Sequence, residues 1–469
     1  MANIIINVSK YIILIFMALY TQSCFTVVQD VSEREKERRL NKQIVYVFLI
    51  HFLCYLTLAL SNAEEMVSIV VFYGLQILVA TIYMYLYHYI YPYSNRVIIN
   101  NMSFLLLIGY TMLTRLDFSL AKKQFIIATS TMIMVSVIPM IMDKYKNLRN
   151  YGIAYGIIGI IALSSVFVIG VEQYGSRNWI SIAGISIQPS ELVKILFVFF
   201  IASMLSKRRD LKQVVITTVV AGLHMVVLVL EKDLGGALIF FIIFIFMIYL
   251  GTGKIRYLIA YIVGGAAMAG LAFVLFKNRL FDHVMVRVNV WKDPWADISG
   301  GGYQITQSLF AIGSGGYFGS GLTKGSPDVI PVSESDFIFS AIAEEFGVLF
   351  AMALILVCFS CFISFISIAM KVRNRFYKTM AFGFAICYIF QTFLSIGGVT
   401  KFIPSTGVTI PLVSYGGSSV LSSLVMFSIM QGISTIENKE AKKIEEEKRS
   451  IEESAGKGKT APKGKAERD

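Results

Sequence analysis

Charge is what this 469-residue sequence has least of. Only 15% of its residues are Asp, Glu, Lys or Arg and 56% are hydrophobic, with a mean hydropathy of +0.68. A soluble protein of this length carries about a quarter charged residues, so the deficit excludes an ordinary soluble enzyme and a disordered chain. The five cysteines (Cys24, Cys54, Cys358, Cys361, Cys387) are scattered through apolar stretches, which excludes a disulfide-stapled module. Cys358 and Cys361 form a CxxC inside a helix-length apolar run, where two small buried residues are a plainer reading than a redox pair. The four histidines, His51, His88, His224 and His283, show no metal-ligand spacing. Walker A, HExxH and GxSxG sequences are all missing. With only nine prolines, long apolar helices fit better than many turned barrel strands. The fold class is all-α, a polytopic transmembrane helical bundle.

The net charge of +12 does not indicate nucleic acid, because the basic residues cluster in short gaps between apolar runs. A span needs about 20 apolar residues. Thirteen segments qualify, near residues 12–28, 44–60, 67–89, 97–113, 125–142, 152–171, 192–205, 214–230, 234–250, 258–276, 337–370, 380–396 and 413–433. Lys/Arg-rich short loops stay cytoplasmic. Arg34 to Lys42, Lys144 to Arg149, Lys207 to Lys212, Lys254 with Arg256, and Lys371 to Lys378 fall at every second gap. That pattern puts the N-terminus outside and the C-terminus in the cytoplasm; Lys122 and Lys123 oppose it. The first span resembles a signal peptide, but no small-residue cleavage site follows, so a retained helix is expected. Residues 436–469 form a charged tail, too polar to bury a core and expected to be disordered past Ser454.

About 60 residues between 276 and 337 contain no membrane-length run, on the outer side by the charge rule. Loops of that length are uncommon unless functional or disordered. This one holds Trp291, Trp295, Tyr303, Phe310 and Tyr317 among many glycines, which leaves a ligand-approaching loop or an inert cap. Ionisable residues at membrane depth mark function by default, and four places carry them or their breaks. In 175–195, Gln188, Pro189 and Ser190 start a helix, placing Glu191 and Lys194 three apart on one face. They form a local ion pair or border a polar cavity. Glu231, Lys232 and Asp233 precede Gly235 and Gly236 at an outer turn, which leaves turn formation alone or a place in the site as the two readings. Asp336 ends the long loop as an apolar helix begins; Ser335 or Asp336 as a cap is the competing reading, with Glu344 two turns on and Glu345 beside it. In 403–419, paired prolines and glycines favour a re-entrant or cavity-lining loop. All four lie on one side, implying a polar cavity open to the outer leaflet.

At these residues the sequence resembles the SEDS family of membrane-embedded peptidoglycan glycosyltransferases, the RodA, FtsW and SpoVE proteins. RNWI with QPSELVK, EKDLGGA, GGYQITQSLFAIGSGG, SDFIFSAIAEEFG and PSTGVTIPLVSYGGSS occur in family order. The resemblance covers roughly residues 97–433 and implies a ten-helix catalytic core at 97–435, with its long outer loop at 277–336. Residues 1–96 then form about three additional helices.

The resemblance implies polymerisation of lipid II at the outer face of the bacterial cytoplasmic membrane, in elongation, division or sporulation. The acceptor's C4 hydroxyl attacks the anomeric carbon of the growing chain, undecaprenyl diphosphate leaves, and the linkage inverts. Asp336 is then the general base. The diphosphate asks for cations: Arg177 and Lys194, then Lys401, with Glu191 holding Lys194, or else a divalent Mg or Mn ion. Ser418, in the last motif, is a further substrate-binding candidate. No other cofactor is implied; the implied partner is a cognate class B penicillin-binding protein, the transpeptidase. The chain departs from the family's Pro-Glu before the aspartate, having Pro331-Val332 and then Glu334. Two other readings remain at this point. One is a flippase of lipid-linked precursors, which should show paired midplane broken helices where no repeat is found. The other is a silent scaffold, which an intact SDFIF argues against.

Overall fold

The computed structural model describes residues 2–458 except 28, 30, 31, 146, 174, 175, 183, 184, 208, 209 and 281. The first half holds α1 (Ala2–Thr26), α2 (Glu33–Ser61), α3 (Met66–Ile90), α4 (Arg96–Leu116), α5 (Phe118–Val135), α6 (Ile138–Lys144), α7 (Gly152–Ser164) and α8 (Val166–Ile169). The second holds α9 (Pro189–Lys207), α10 (Leu211–Leu230), α11 (Leu234–Thr252), α12 (Ile255–Leu280), α13 (Asp282–Lys292), α14 (Tyr303–Gly315), α15 (Ile338–Phe346), α16 (Val348–Lys371), α17 (Arg375–Val399) and α18 (Gly417–Gly458). Among the described residues thirteen helices or helix pairs are long and apolar enough to cross a membrane, as the apolar runs predict. All five cysteines are free and buried.

Burial sorts the helices. The apolar span of α4 is wholly enclosed, whereas no residue in that of α12 is buried. In a bilayer the first is the packed centre and the second is bathed in lipid. Polar side chains stitch the enclosed helices, since lipid offers no alternative partner. Tyr20 on α1 donates to Asn101 Oδ1 at 2.7 Å, and Asn101 Nδ2 donates to Ser360 Oγ on α16 at 3.2 Å. Gln76 on α3 donates to Tyr55 on α2 at 2.6 Å, and the Tyr55 and Thr114 hydroxyls lie 2.8 Å apart. The three leading helices are thereby bonded to the rest of the bundle. Starts are marked by polar caps: Asn95 for α4, Asp117 for α5, Asp233 for α11 and Asn374 for α17.

Several details differ from the sequence reading. The run 337–370 is broken at Gly347, whose φ of +89° separates α15 from the membrane-length α16. The last span begins at Gly417, and residues 400–416 precede it as a non-helical segment. The long loop is not irregular: it contains α13 and α14. A small antiparallel sheet, β1 (Val171–Gln173), β2 (Ser176–Ile182) and β3 (Ile185–Ile187), joins α8 to α9. Finally, α18 runs on through the charged tail to Gly458, because Ala, Glu and Lys are strong helix formers whatever their polarity. Residues 459–469 of that tail lie outside the described residues.

Candidate active site

Five elements converge on residues 400–416. From α17, the side chain of Gln391 donates to the Thr409 carbonyl at 3.2 Å. From α18, Ser419 and Thr409 share a hydroxyl contact of 2.7 Å. From α5, Gln124 donates to the Ser414 carbonyl and accepts from Gly416 N–H, both at 3.0 Å. From α13, Trp291 Nε1 donates to the Lys401 carbonyl at 3.2 Å and Arg287 Nη1 to that of Ser405 at 3.3 Å. The segment before α15 adds two bonds: Tyr415 N–H donates to Glu334 O at 2.8 Å, and Ser414 Oγ to Ser335 O at 2.7 Å. Backbone that breaks a membrane helix needs such partners, and here protein supplies them.

Asp336 lies inside this stitching, half-buried. Neither it nor Ser335 caps α15, whose first-turn boundary is Phe337 without a side-chain cap. The carboxyl faces Gly407 instead: a Cβ built there would stand 3.6 Å from Asp336 Oδ2 and 3.7 Å from Arg287 Nη2. Gly407 has φ +69°, so both the turn and the room it leaves require glycine. Burial pushes the Asp336 carboxyl up to about 6, and Glu334 adds to the rise; Arg287 and a hydrogen bond from Ser335 pull the other way and lose. A carboxylate poised there accepts a proton near neutral pH.

The other residues singled out in the sequence are placed in several ways. Lys194 is 4% exposed, and its Nζ donates to Glu191 Oε2 at 2.6 Å and to Gln391 Oε1 at 2.7 Å. Glu191 also accepts from Ser422 Oγ at 2.6 Å. The pair therefore locks α9, α17 and α18 together, which is the local-ion-pair reading. Ser418 is buried and accepts the Gln188 N–H at 3.0 Å, holding the start of α9. Ser190, in the first turn of α9, donates like Gln188 to Asp233 Oδ2 at 3.2 Å. Asp233 is thus more than a turn residue. Beside it, burial and the Asp233 charge push Glu231 up to about 8. Lys401 is half-buried with φ +60°, at the start of the convergent segment. Arg177 is in β2, and its side chain lies outside the described residues. Glu344 and Glu345 turn away toward the glycine-rich stretch: Glu344 accepts from Ser326 N–H at 2.8 Å, and Glu345 pairs with Arg115 at 2.9 Å.

The sequence reading missed Arg287 and Arg115. Arg287 stands in VMVRVNVW, whose alternation suggests a strand and hides the helix that aims it. An arginine alone among valines in an outer loop was the available signal. Among the described residues no three His, Cys, Asp or Glu side chains gather to hold a metal ion. Asp336 and Glu334 would offer two carboxylates, short of a protein-built Mg or Mn site.

Comparison with known proteins bears on the family of the chain. The FtsW/RodA/SpoVE family model, described as "Cell cycle protein", matches residues 96–439. The peptidoglycan glycosyltransferase RodA of Mycobacterium tuberculosis is 32% identical over 375 residues, covering 73% of this chain and 78% of that one. A probable peptidoglycan glycosyltransferase FtsW from a Geobacter species is 34% identical over 284 residues, covering 58% and 75%. Among solved structures, a chain from work on polymerization and crosslinking by a peptidoglycan synthase complex superposes with TM-score 0.63 at 22% identity, covering 73% of this chain and 98% of that one. The Thermus thermophilus rod shape determining protein RodA gives 0.55 at 21%, covering 73% and 96%. With its helical core, its convergent segment and matches of this extent, the chain belongs to the FtsW/RodA/SpoVE family of multi-pass membrane proteins.

Proposed function

We propose that this peptidoglycan glycosyltransferase polymerises lipid II at the outer face of the bacterial cytoplasmic membrane, with Asp336 as general base. The observation that carries the reading is the half-buried Asp336 carboxyl, held up at about 6 beside the Arg287 guanidinium and the space over Gly407. The acceptor's C4 hydroxyl loses its proton to Asp336 as its oxygen bonds the anomeric carbon from the face opposite the diphosphate. That displacement inverts the linkage. Such a base contributes about 10²–10⁴-fold. Undecaprenyl diphosphate is a good leaving group and needs no strong acid, only fixed positive charge where its own negative charge develops. Arg287, which flanks Asp336 over Gly407, suits that role better than Lys194, which is 4% exposed and bonded to both Glu191 and Gln391. Lys401 and Arg177 remain further candidates; Mg or Mn would have to be held largely by the diphosphate's own oxygens. The chain would work with a class B penicillin-binding protein, in keeping with the synthase complex whose chain it superposes on. The Lys/Arg-rich loops support an outside N-terminus and a cytoplasmic C-terminus.

The test is lipid II polymerisation in liposomes by wild type and Asp336→Ala, with and without the co-purified transpeptidase. Long glycan strands from wild type and none from an equally folded variant are expected. Equal products would remove Asp336 from the mechanism. Absence of polymer with transbilayer movement of lipid II would favour a flippase.

A further inference from the structure

We propose that the first two of the leading helices, which precede the family-matched core, position the base: Lys10 on α1 and Ser61 at the end of α2 brace the glycine-rich segment that fixes α15. The proposal rests on the reading of Asp336 as base. Lys10 Nζ donates to the Gly319 carbonyl at 3.0 Å. The neighbouring Tyr11 ring packs on Phe318, centroids 5.7 Å apart. The Ser61 hydroxyl meets that of Thr323 at 2.8 Å. Two separate helices therefore grip six consecutive residues, 318–323, through one charged bond, one ring contact and one hydroxyl pair.

The opposite side of that stretch is bonded to α15. Ser320 N–H donates to Glu344 O and Gly321 N–H to Glu345 O, each at 2.9 Å, and Thr323 N–H donates to Glu345 Oε1 at 3.2 Å. Gly319 has φ +77°, and a Cβ there would collide with the Glu345 carbonyl, so the two chains run backbone against backbone. Thr323 adopts φ +74°, a conformation unfavourable for a β-branched residue and held by contacts on both sides. The stretch is thus a plate between α1/α2 and α15, and α15 begins two residues after Asp336. A lysine near a membrane helix end ordinarily snorkels to water. Lys10 instead satisfies a defined carbonyl, and Ser61 repeats the grip from a second helix. Displacing the plate would tilt α15 and move the carboxylate, and a misplacement of about 1 Å from afar lowers rate up to ~10²-fold.

The experiment uses the full chain in liposomes with lipid II, comparing wild type, Lys10→Met with Ser61→Ala, and Lys10→Arg. Two readouts are taken: kcat against KM, and amide hydrogen exchange over residues 316–325. The double variant should exchange faster at Ser320 and Gly321 and lose about 10-fold in kcat with KM held, since positioning rather than binding is removed. Lys10→Arg, which keeps the donor, should restore both. Unchanged exchange in the double variant overturns the brace, and faster exchange with unchanged kcat overturns its link to catalysis. If Asp336→Asn retains activity, the base assignment fails instead, and the exchange data still report on the brace.

Discussion

At the end of the bundle that carries Asp336, two ion pairs are withdrawn from solvent, Lys194–Glu191 with side chains 5% and 15% exposed and Arg115–Glu345 with 16% and 0%, and Arg115 also reaches the exposed Asp328. At the opposite end, Lys439–Asp143 is 42% and 47% exposed, and Arg38–Glu35 is 69% and 38%. Backbone strain divides the same way. Among the described residues the non-glycine positions with positive φ are Lys232, Thr323, Val332, Lys401 and Leu412, all in turns and segments of the Asp336 end. Each costs on the order of 1–3 kcal/mol and persists only where the surroundings over-determine it. Hydrogen bonds do that here: the Lys401 carbonyl is held by Trp291, and that of Val332 by the N–H groups of Ser335 and Phe337. One end is assembled for solubility and topology; the other stores strain and buried charge around a carboxylate.

The comparison breaks or sharpens under matched substitutions. Asp336→Asn should lower polymerisation by about 10²–10⁴-fold, while Asp143→Asn, its exposed counterpart, should leave initial rates unchanged. Next, Arg115→Met leaves Glu345 buried without its partner and should cost about 3–5 kcal/mol in detergent unfolding. Lys439→Met, by contrast, should cost no more than about 1 kcal/mol. Similar losses at the two ends would contradict the contrast. The smallest effect is the most discriminating. Gly407 and Gly253 have φ +69° and +68°, but only Gly407 faces Asp336 and Arg287, while the space around Gly253 is open. Alanine at either should cost about 1–2 kcal/mol of stability, yet only Gly407→Ala should lower turnover.

Much of this architecture was legible in the sequence because membrane spans are a matter of local composition. Twenty apolar residues between basic gaps need no knowledge of neighbours, and Pro189 marks the start of α9 by its own ring geometry. The Glu191–Lys194 pair was legible too, since three-residue spacing brings them together within one helix. What closes around that pair was not: Gln391 and Ser422 come from α17 and α18, and no local pattern joins them. Ser335 and Asp336 matched a cap pattern, but the Ser335 and Phe337 N–H bonds to the Val332 carbonyl, with those from Ser414 and Tyr415 to the Ser335 and Glu334 carbonyls, hold that stretch as a turn, and the helix starts later. Glu344 and Glu345 were read with Asp336, yet their partners lie in the glycine-rich stretch and on α4. Arg287 was hidden by valine alternation. The break at Gly347 was masked by continuous apolarity on both sides, and the helical tail by its charge.

The central claim is that the proton acceptor is Asp336, tuned by burial against Arg287. The most direct measurement is kcat/KM for lipid II polymerisation as a function of pH, for wild type and Arg287→Gln. A base must be deprotonated, so activity should fall on the acid side with a midpoint at about 6 in wild type. Removing the guanidinium withdraws the charge that lowers the carboxyl's pKa, so the variant's midpoint should move to higher pH. An acid limb that stays in place in Arg287→Gln, or a wild-type profile flat through that range, would contradict the assignment.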